Sequence, residues 1–424
     1  MNRWRSLGII AVAGALVLTG CGRGDGGGGG EAAAGATIDD KPASGDITVW
    51  AMGNEGEVLD ALAADFEKEN PGAKVTVTAV PWESAHDRIA TAIAGGQTPD
   101  VSMLGTTWVG EFASTGALEP TPKGLVDEKS FFDGSWDTAV VGGTAYGVPW
   151  YVDTRVLYYR SDFAAAAGLE APTTWEELKT FAAAMKQQGA TSGLSLMPGG
   201  FDSWQYVTPF AWQAGGDILS DDGKTFVLDS PEWRRAFEYY NSFFAEGLSE
   251  PVRLEGGEIE QKFISGEVGA FFSGPFHVSL LREQGGEDFA DKFAVAEVPG
   301  DATRTSFTGG GNLAVFEDSE NRDAAWKFVR WLSEPDTQVK WYDISTDLPS
   351  VQKAWQDPTF ADDPYLSVFG EQLKDSKAPP AIPTWAQVSS VIDSELEKVT
   401  RGSQPVGDAL SGIQSQAKTI GTGK

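Results

Sequence analysis

From residue 46 onward, short apolar runs alternate with stretches of helical spacing, and this alternation is the strongest constraint on the fold. Residues 47–52 read as a strand. Val58, Leu59, Leu62 and Phe66 then recur at helical spacing until Asn70, Pro71 and Gly72 stop the helix. Residues 75–80 give a second strand, 84–94 a helix closed by Gly95 and Gly96, 99–104 a third strand, and 108–115 a further helix. Strands separated by helices predict an α/β layer on a parallel sheet, because parallel neighbours need a crossover long enough to hold a helix.

The same reading extends along the chain. Residues 145–150 and 156–159 are β-rich. Thr174 followed by Glu177 predicts a capping box that opens a helix running to about Gln188. Pro231 suits the first turn of a helix over 231–246; residues 321–333 read as helix and 313–316 as strand. The last 40 residues are predicted helical, with Val388, Val391, Ile392, Leu396 and Val399 on one face. No repeat of 20–50 residues is visible, which argues against a solenoid or propeller.

The N-terminus carries a different signal. Arg3 and Arg5 precede an apolar run over residues 7–18, about the length of a signal-peptide core and too short to span a bilayer. Leu18-Thr19-Gly20-Cys21 resembles the bacterial lipobox. The resemblance implies a signal peptide over 1–20 and lipidation of Cys21, with the protein held at the extracellular face of the cell membrane. An ordinary cleaved signal with a chance cysteine is the alternative. Residues 21–45 then read as anchor and flexible linker, rich in glycine and alanine, with a reach of roughly 25–30 Å.

About 400 residues remain after such a signal, enough for two domains. Cys21 is the only cysteine, so once it is lipidated no thiol is left for a disulfide, a thiolate metal site or a nucleophile. Stability must come from a large core. The net charge of −29 repels nucleic acid and anionic headgroups. The two histidines, His86 and His277, are far apart, which argues against a histidine-rich metal site. No cofactor, metal or nucleic acid is expected.

Several segments in this order resemble the extracellular solute-binding proteins of ABC sugar importers, the family that includes maltose-binding protein. They are Phe66-Glu67-Lys68-Glu69-Asn70-Pro71-Gly72, Gly95-Gly96-Gln97-Thr98-Pro99-Asp100-Val101, Tyr146-Gly147-Val148-Pro149 with Leu157-Tyr158-Tyr159-Arg160, Pro172-Thr173-Thr174-Trp175-Glu176-Glu177-Leu178, Gly266-Glu267-Val268-Gly269-Ala270-Phe271 and Ala324-Ala325-Trp326-Lys327-Phe328. The resemblance implies a two-lobed periplasmic-binding-protein-like α/β fold with hinge crossovers and a ligand cleft between the lobes. Lobe one would be 46–151 plus 303–346, and lobe two 152–302 plus 347–424. It further implies a monomer without catalytic activity whose partners are a sugar, permease subunits of an ABC transporter and, through Cys21, the membrane.

Ligands of α/β lobes sit beyond the carboxyl ends of strands. That rule selects Asn54 and Glu55 after the first strand, Trp82 and Glu83 after the second, and Thr106, Thr107 and Trp108 after the third. Sugar rings have apolar faces edged by hydroxyls and need flat aromatics with polar groups at the rim. The family resemblance adds Asp153 at the first hinge, Trp204 and Gln205 in a contact loop of lobe two, and Phe276 where a stacking tryptophan is common. Gly310 and Asn312 lie near the second crossover and Asp347 near the third; Trp385 is a stacking candidate in the last part of the chain. Trp50, Trp175, Trp233, Trp326 and Trp331 fall in strands or helices and read as core, as do Trp212, Trp341 and Trp355. His277 either lines the cleft or packs. Thr106 to Trp108 depart from the acidic-basic pair of maltose-binding members, so the sugar type stays open: a di- or oligosaccharide, as a glucoside of maltose, trehalose or cellobiose type. The alternatives are a polyamine receptor, a glycoside hydrolase using Glu55 and Asp153, and a surface adhesin.

Overall fold

A computed structural model describes residues 37–254 and 257–423. The expected signal peptide, Cys21 and most of the linker lie outside the described residues. The first sheet has seven strands. Ser44–Met52 is central to its parallel part, flanked by Gly72–Val80 and Val101–Gly105. The sheet is mixed, where the alternation predicts a parallel one. Ser306–Val315 inserts antiparallel between Val101–Gly105 and Val148–Thr154. The cause is long-range: this strand arrives from about 200 residues downstream, so no helical crossover dictates its direction. Its ladder shifts register between Gly311 and Asn312. Just before the shift Gly310 has φ +121°, and a Cβ there would stand 2.2 Å from the Tyr151 carbonyl oxygen, so only glycine fits.

The second sheet is a three-stranded antiparallel one, with Val156–Arg160 between Ala270–Ser273 and Phe293–Ala296. Side chains alternate across it as strand geometry requires. Leu157, Ala270 and Phe272 face one core, built on the helices Trp175–Gln187, Trp204–Gln213, Pro231–Ala245, Trp385–Thr400 and Val406–Ile420. Val156, Tyr158 and Phe271 face another, built on Glu258–Ser265, Phe276–Gly285 and Leu366–Gln372. A third core wraps the first sheet, from Ile47 and Val49 to Trp326, Trp341 and Val351. Two α/β lobes result, each with its own sheet.

Helix ends follow local chemistry. Thr174 and Glu177 form the expected capping box on Trp175–Gln187, and Ser230 caps Pro231–Ala245 with Pro231 in its first turn. Trp175, Trp233, Trp326 and Trp331 are buried, as their positions in strands and helices imply, whereas Trp50, also expected in the core, is only partly buried, with the Arg88 guanidinium over its ring.

The chain passes between the sheets at Arg155, the single residue separating Val148–Thr154 from Val156–Arg160. The Ser306 hydroxyl donates to the Arg155 carbonyl at 2.7 Å, so the returning strand is fastened at the same point. The first sheet therefore runs three residues past the expected limit at 151. It also takes in Leu348–Pro349, which pairs with Val148–Thr154 although the expected lobe-two segment begins at 347.

Candidate ligand-binding cleft

The strand ends and loops converge on a cavity of about 520 Å³, lined by Trp82, Glu83, Gly105, Thr106, Thr107, Trp108, Asp153, Arg155, Phe201, Asp202, Trp204, Gln205, Phe307, Gly309 and Gly310. A neighbouring compartment of about 450 Å³ shares Thr107, Trp108, Phe201, Asp202 and Trp204 and continues to Trp385, Ser389, Ser390, Asp393 and Glu397. These sizes suit a small organic solute.

Aromatic rings form two walls. On one, Trp82 and Trp108 meet edge to face with centroids 5.6 Å apart. Behind them His86 packs edge-on against Trp108 at 5.4 Å, and its Nε2 lies 2.9 Å from Glu111 Oε2. The Trp108 ring is thus held from two sides. On the other wall, Trp204 is only 3% exposed, packed edge-to-face against Phe307 at 5.5 Å and Trp385 at 5.1 Å.

The polar floor is built around Arg155. Its guanidinium pairs with Asp153, donates to Gln205 Oε1 at 3.1 Å, and lies over the Phe307 ring. Burial works against its charge, but Asp153 and Tyr206 more than compensate and hold it protonated. The loop bearing Phe201 and Trp204 is tied to the helix Trp385–Thr400 through Asp393. That carboxylate accepts from the Trp204 N–H at 2.7 Å, the Ser203 hydroxyl at 2.8 Å and the Asp202 N–H at 3.0 Å. Burial outweighs these donors and pushes the Asp393 carboxyl up to about 6.

Beside the cavity, Glu55 and Asp347 gather around Tyr151. Glu55 is 8% exposed, and burial raises its carboxyl although the Tyr151 hydroxyl nearby favours its charged form. Burial also raises Asp347 well above the usual carboxylate range, reinforced by the charge of Glu55. The Trp341 indole N–H donates to Asp347 at 3.2 Å. At Asp347, burial and the charge of Glu55 thus both favour the protonated form.

The sequence-derived positions divide accordingly. Trp82, Thr106, Thr107, Trp108, Asp153, Trp204, Gln205 and Gly310 line the main cavity, and Trp385 the second compartment. Asn54 is exposed on the short helix Gly53–Val58, and neither it, Glu55 nor Asp347 lines these cavities. Phe276 is 49% exposed at the start of its helix. A Cβ on Gly274 would stand 2.9 Å from that ring and 2.6 Å from Asp153 Oδ1, so the ring lies one residue's width from the ion pair. Asn312 is fully buried, and its amide donates to the Thr138 hydroxyl at 2.9 Å; its side chain serves the strand packing instead of the opening. His277 packs: it is buried, with Nδ1 2.6 Å from the Ser273 hydroxyl. Arg155, Phe201, Asp202 and Phe307 were not among the sequence-derived positions. The two-residue spacing of Asp153 and Arg155, at the end of the strand Val148–Thr154, was a usable signal for the arginine.

Two α/β lobes with an aromatic-walled, polar-floored opening at their strand ends define a protein built to hold a small solute. The chain belongs to the bacterial extracellular solute-binding protein family, whose pattern it matches over residues 52–339. It is a binding protein and not an enzyme. The sugar-binding protein MalE of Xanthomonas citri is similar in structure, with a TM-score of 0.84 and 32% identity, covering 89% of this chain and 97% of that one. The diacetylchitobiose binding protein DasA of Streptomyces coelicolor is 26% identical over 435 residues, 96% of each chain. A putative binding protein of Brucella abortus is 27% identical over 373 residues, 86% of this chain and 90% of that.

Proposed function

We propose that this protein is the receptor of an ABC sugar importer. It captures a di- or oligosaccharide between its lobes, a glucoside of maltose, trehalose or cellobiose type, and hands it to the permease. The carrying observation is the combination in one cavity of Trp82, Trp108 and Trp204 with Asp153, Arg155 and Gln205. Ring faces of a sugar stack on the aromatics, and its hydroxyls bond to the fixed polar groups. The Xanthomonas and Streptomyces relatives, named for sugar binding, support the same class. Lobe one is taken as residues 46–151 with 303–346, and lobe two as 152–302 with 347–424. A ligand touching both lobes favours the closed state by its differential affinity, and the permease reads that closure. Lipidation of Cys21 would keep the receptor beside its permease.

A polyamine fits less well. Asp153 is already neutralised by Arg155, and that cation inside the cavity repels another. Thermal-shift screening of the full chain against maltose, trehalose, cellobiose and maltotriose tests the proposal, because a ligand of the folded state raises the melting temperature. A rise with spermidine and none with any sugar would reverse the assignment.

A further inference from the structure

Phe201 is 76% exposed, the most exposed large apolar side chain among the described residues. It lines both compartments of the cleft. An exposed phenyl ring contributes nothing to the core, and on a loose loop it would need no explanation. This loop is not loose. The Phe201 carbonyl accepts from Arg253 Nη1 at 2.8 Å, and the next three residues are bound to Asp393. The Ser203 N–H closes a turn onto the Gly200 carbonyl at 3.0 Å.

The backbone is also held in costly conformations. Asp202 has φ +66°, one of two non-glycine residues with positive φ among those described. Gly199 has φ +127°, and a Cβ there would lie 2.3 Å from Glu397 Cβ, so the loop is seated directly on the helix Trp385–Thr400. Strained backbone persists only where its surroundings over-determine it. Here the strain and the bonds fix the backbone that carries the exposed Phe201 ring at the cleft.

We infer that Phe201 is a stacking platform for one pyranose ring of the ligand, placed where the two compartments meet. The inference rests on the sugar reading above. Phenylalanine has no polar tip, so it offers only a face. The hydroxyl partners come from its neighbours on the same groove: Asp202, Gln205, Ser389 and Ser390. An apolar face rimmed by hydrogen-bonding groups matches a sugar ring better than a purely hydrocarbon or ionic ligand.

The test is calorimetric titration of the full chain with maltose, trehalose, cellobiose and maltotriose, on the natural protein, Phe201→Ala and Phe201→Trp. The expected result is a loss of at least tenfold in affinity for the tightest of these sugars in Phe201→Ala. Phe201→Trp should stay within threefold of the natural protein, and the sugar-free melting temperature should not move, since the ring is exposed. Binding by the natural protein with unchanged affinity in Phe201→Ala would overturn the inference alone and leave the ring as a contact for another surface. Absence of binding by the natural protein to all four sugars would overturn the sugar reading, and the platform with it.

Discussion

Asp153 and Arg155 form an ion pair at the one-residue passage between the two sheets, with their side chains 25% and 13% exposed. The pair sits in the wall of the cleft, and the arginine carries the contact onward to Gln205 and Phe307. The passage between the two sheets and the proposed sugar site therefore share the same two side chains.

Breaking that pair should affect both. Arg155→Met leaves Asp153 without its counter-charge and should lower the unfolding free energy by about 2–3 kcal/mol. Sugar affinity should fall at least tenfold, about 1.4 kcal/mol. Arg155→Lys keeps the charge and loses the fork, so it should recover more stability than affinity. Denaturant unfolding and titration calorimetry on both variants separate the two effects.

Trp204 belongs to the core as much as to the cleft. Its ring fills space between Phe307 and Trp385. Trp204→Ala should cost about 3–5 kcal/mol of stability, the range for deleting a large buried aromatic. A melting temperature equal to that of the natural protein would show that the ring is not packed as described.

Asp393 gives a pH signature. Its carboxyl is raised from 3.8 to about 6 in the folded protein, so the folded state holds the proton more tightly than the unfolded chain. Its contribution to stability is fully present below pH 3.8 and declines as pH rises through 6. The stability of the natural protein relative to Asp393→Ala should therefore shrink between pH 4 and pH 7. Urea unfolding of both across that range is the check, and a gap that widens with pH would reverse the sign.

His277 should act in the opposite sense. Burial, joined by the charge of Arg155, lowers its imidazole from 6.5 to about 4, against the opposing pull of the buried Glu260 carboxylate 3.2 Å from its Nε2. A depressed histidine stabilises the fold above pH 6.5, and that stability is lost as pH falls through 4. His277→Gln should flatten the acid limb of the stability profile between these values. An unchanged acid limb would exclude the histidine as its source.

How much of this was legible in the sequence depended on the range of the forces involved. Local chemistry read through directly: the Thr174–Glu177 capping box, Pro231 in a first turn, and the tryptophans inside strands and helices. The loops after the first sheet's parallel strands were legible too, because strand ends follow from apolar runs. The direction of Ser306–Val315 was not, since it is set by partners such as Met103 and Tyr151, far away in the chain. The same distance hid the burial of Asn312 against Thr138. Arg155 was missed although its counter-ion Asp153 stands two residues away, because the junction of two sheets that gives the pair its place exists only in the folded chain. Nothing in the sequence singles out Phe201, because the contacts of Asp393 and Arg253 that hold its loop come from distant parts of the chain.

The cavity between Trp108 and Trp204 is where the sugar is proposed to sit. Calorimetric titration of the full chain with maltose, trehalose, cellobiose and maltotriose, repeated on Trp108→Ala, tests that placement most directly. Saturable one-to-one binding of at least one of these sugars is expected, weakened at least tenfold, about 1.4 kcal/mol, by the substitution. Binding of equal strength in the two proteins, or no heat of binding with any of the four sugars at millimolar concentration, would contradict it.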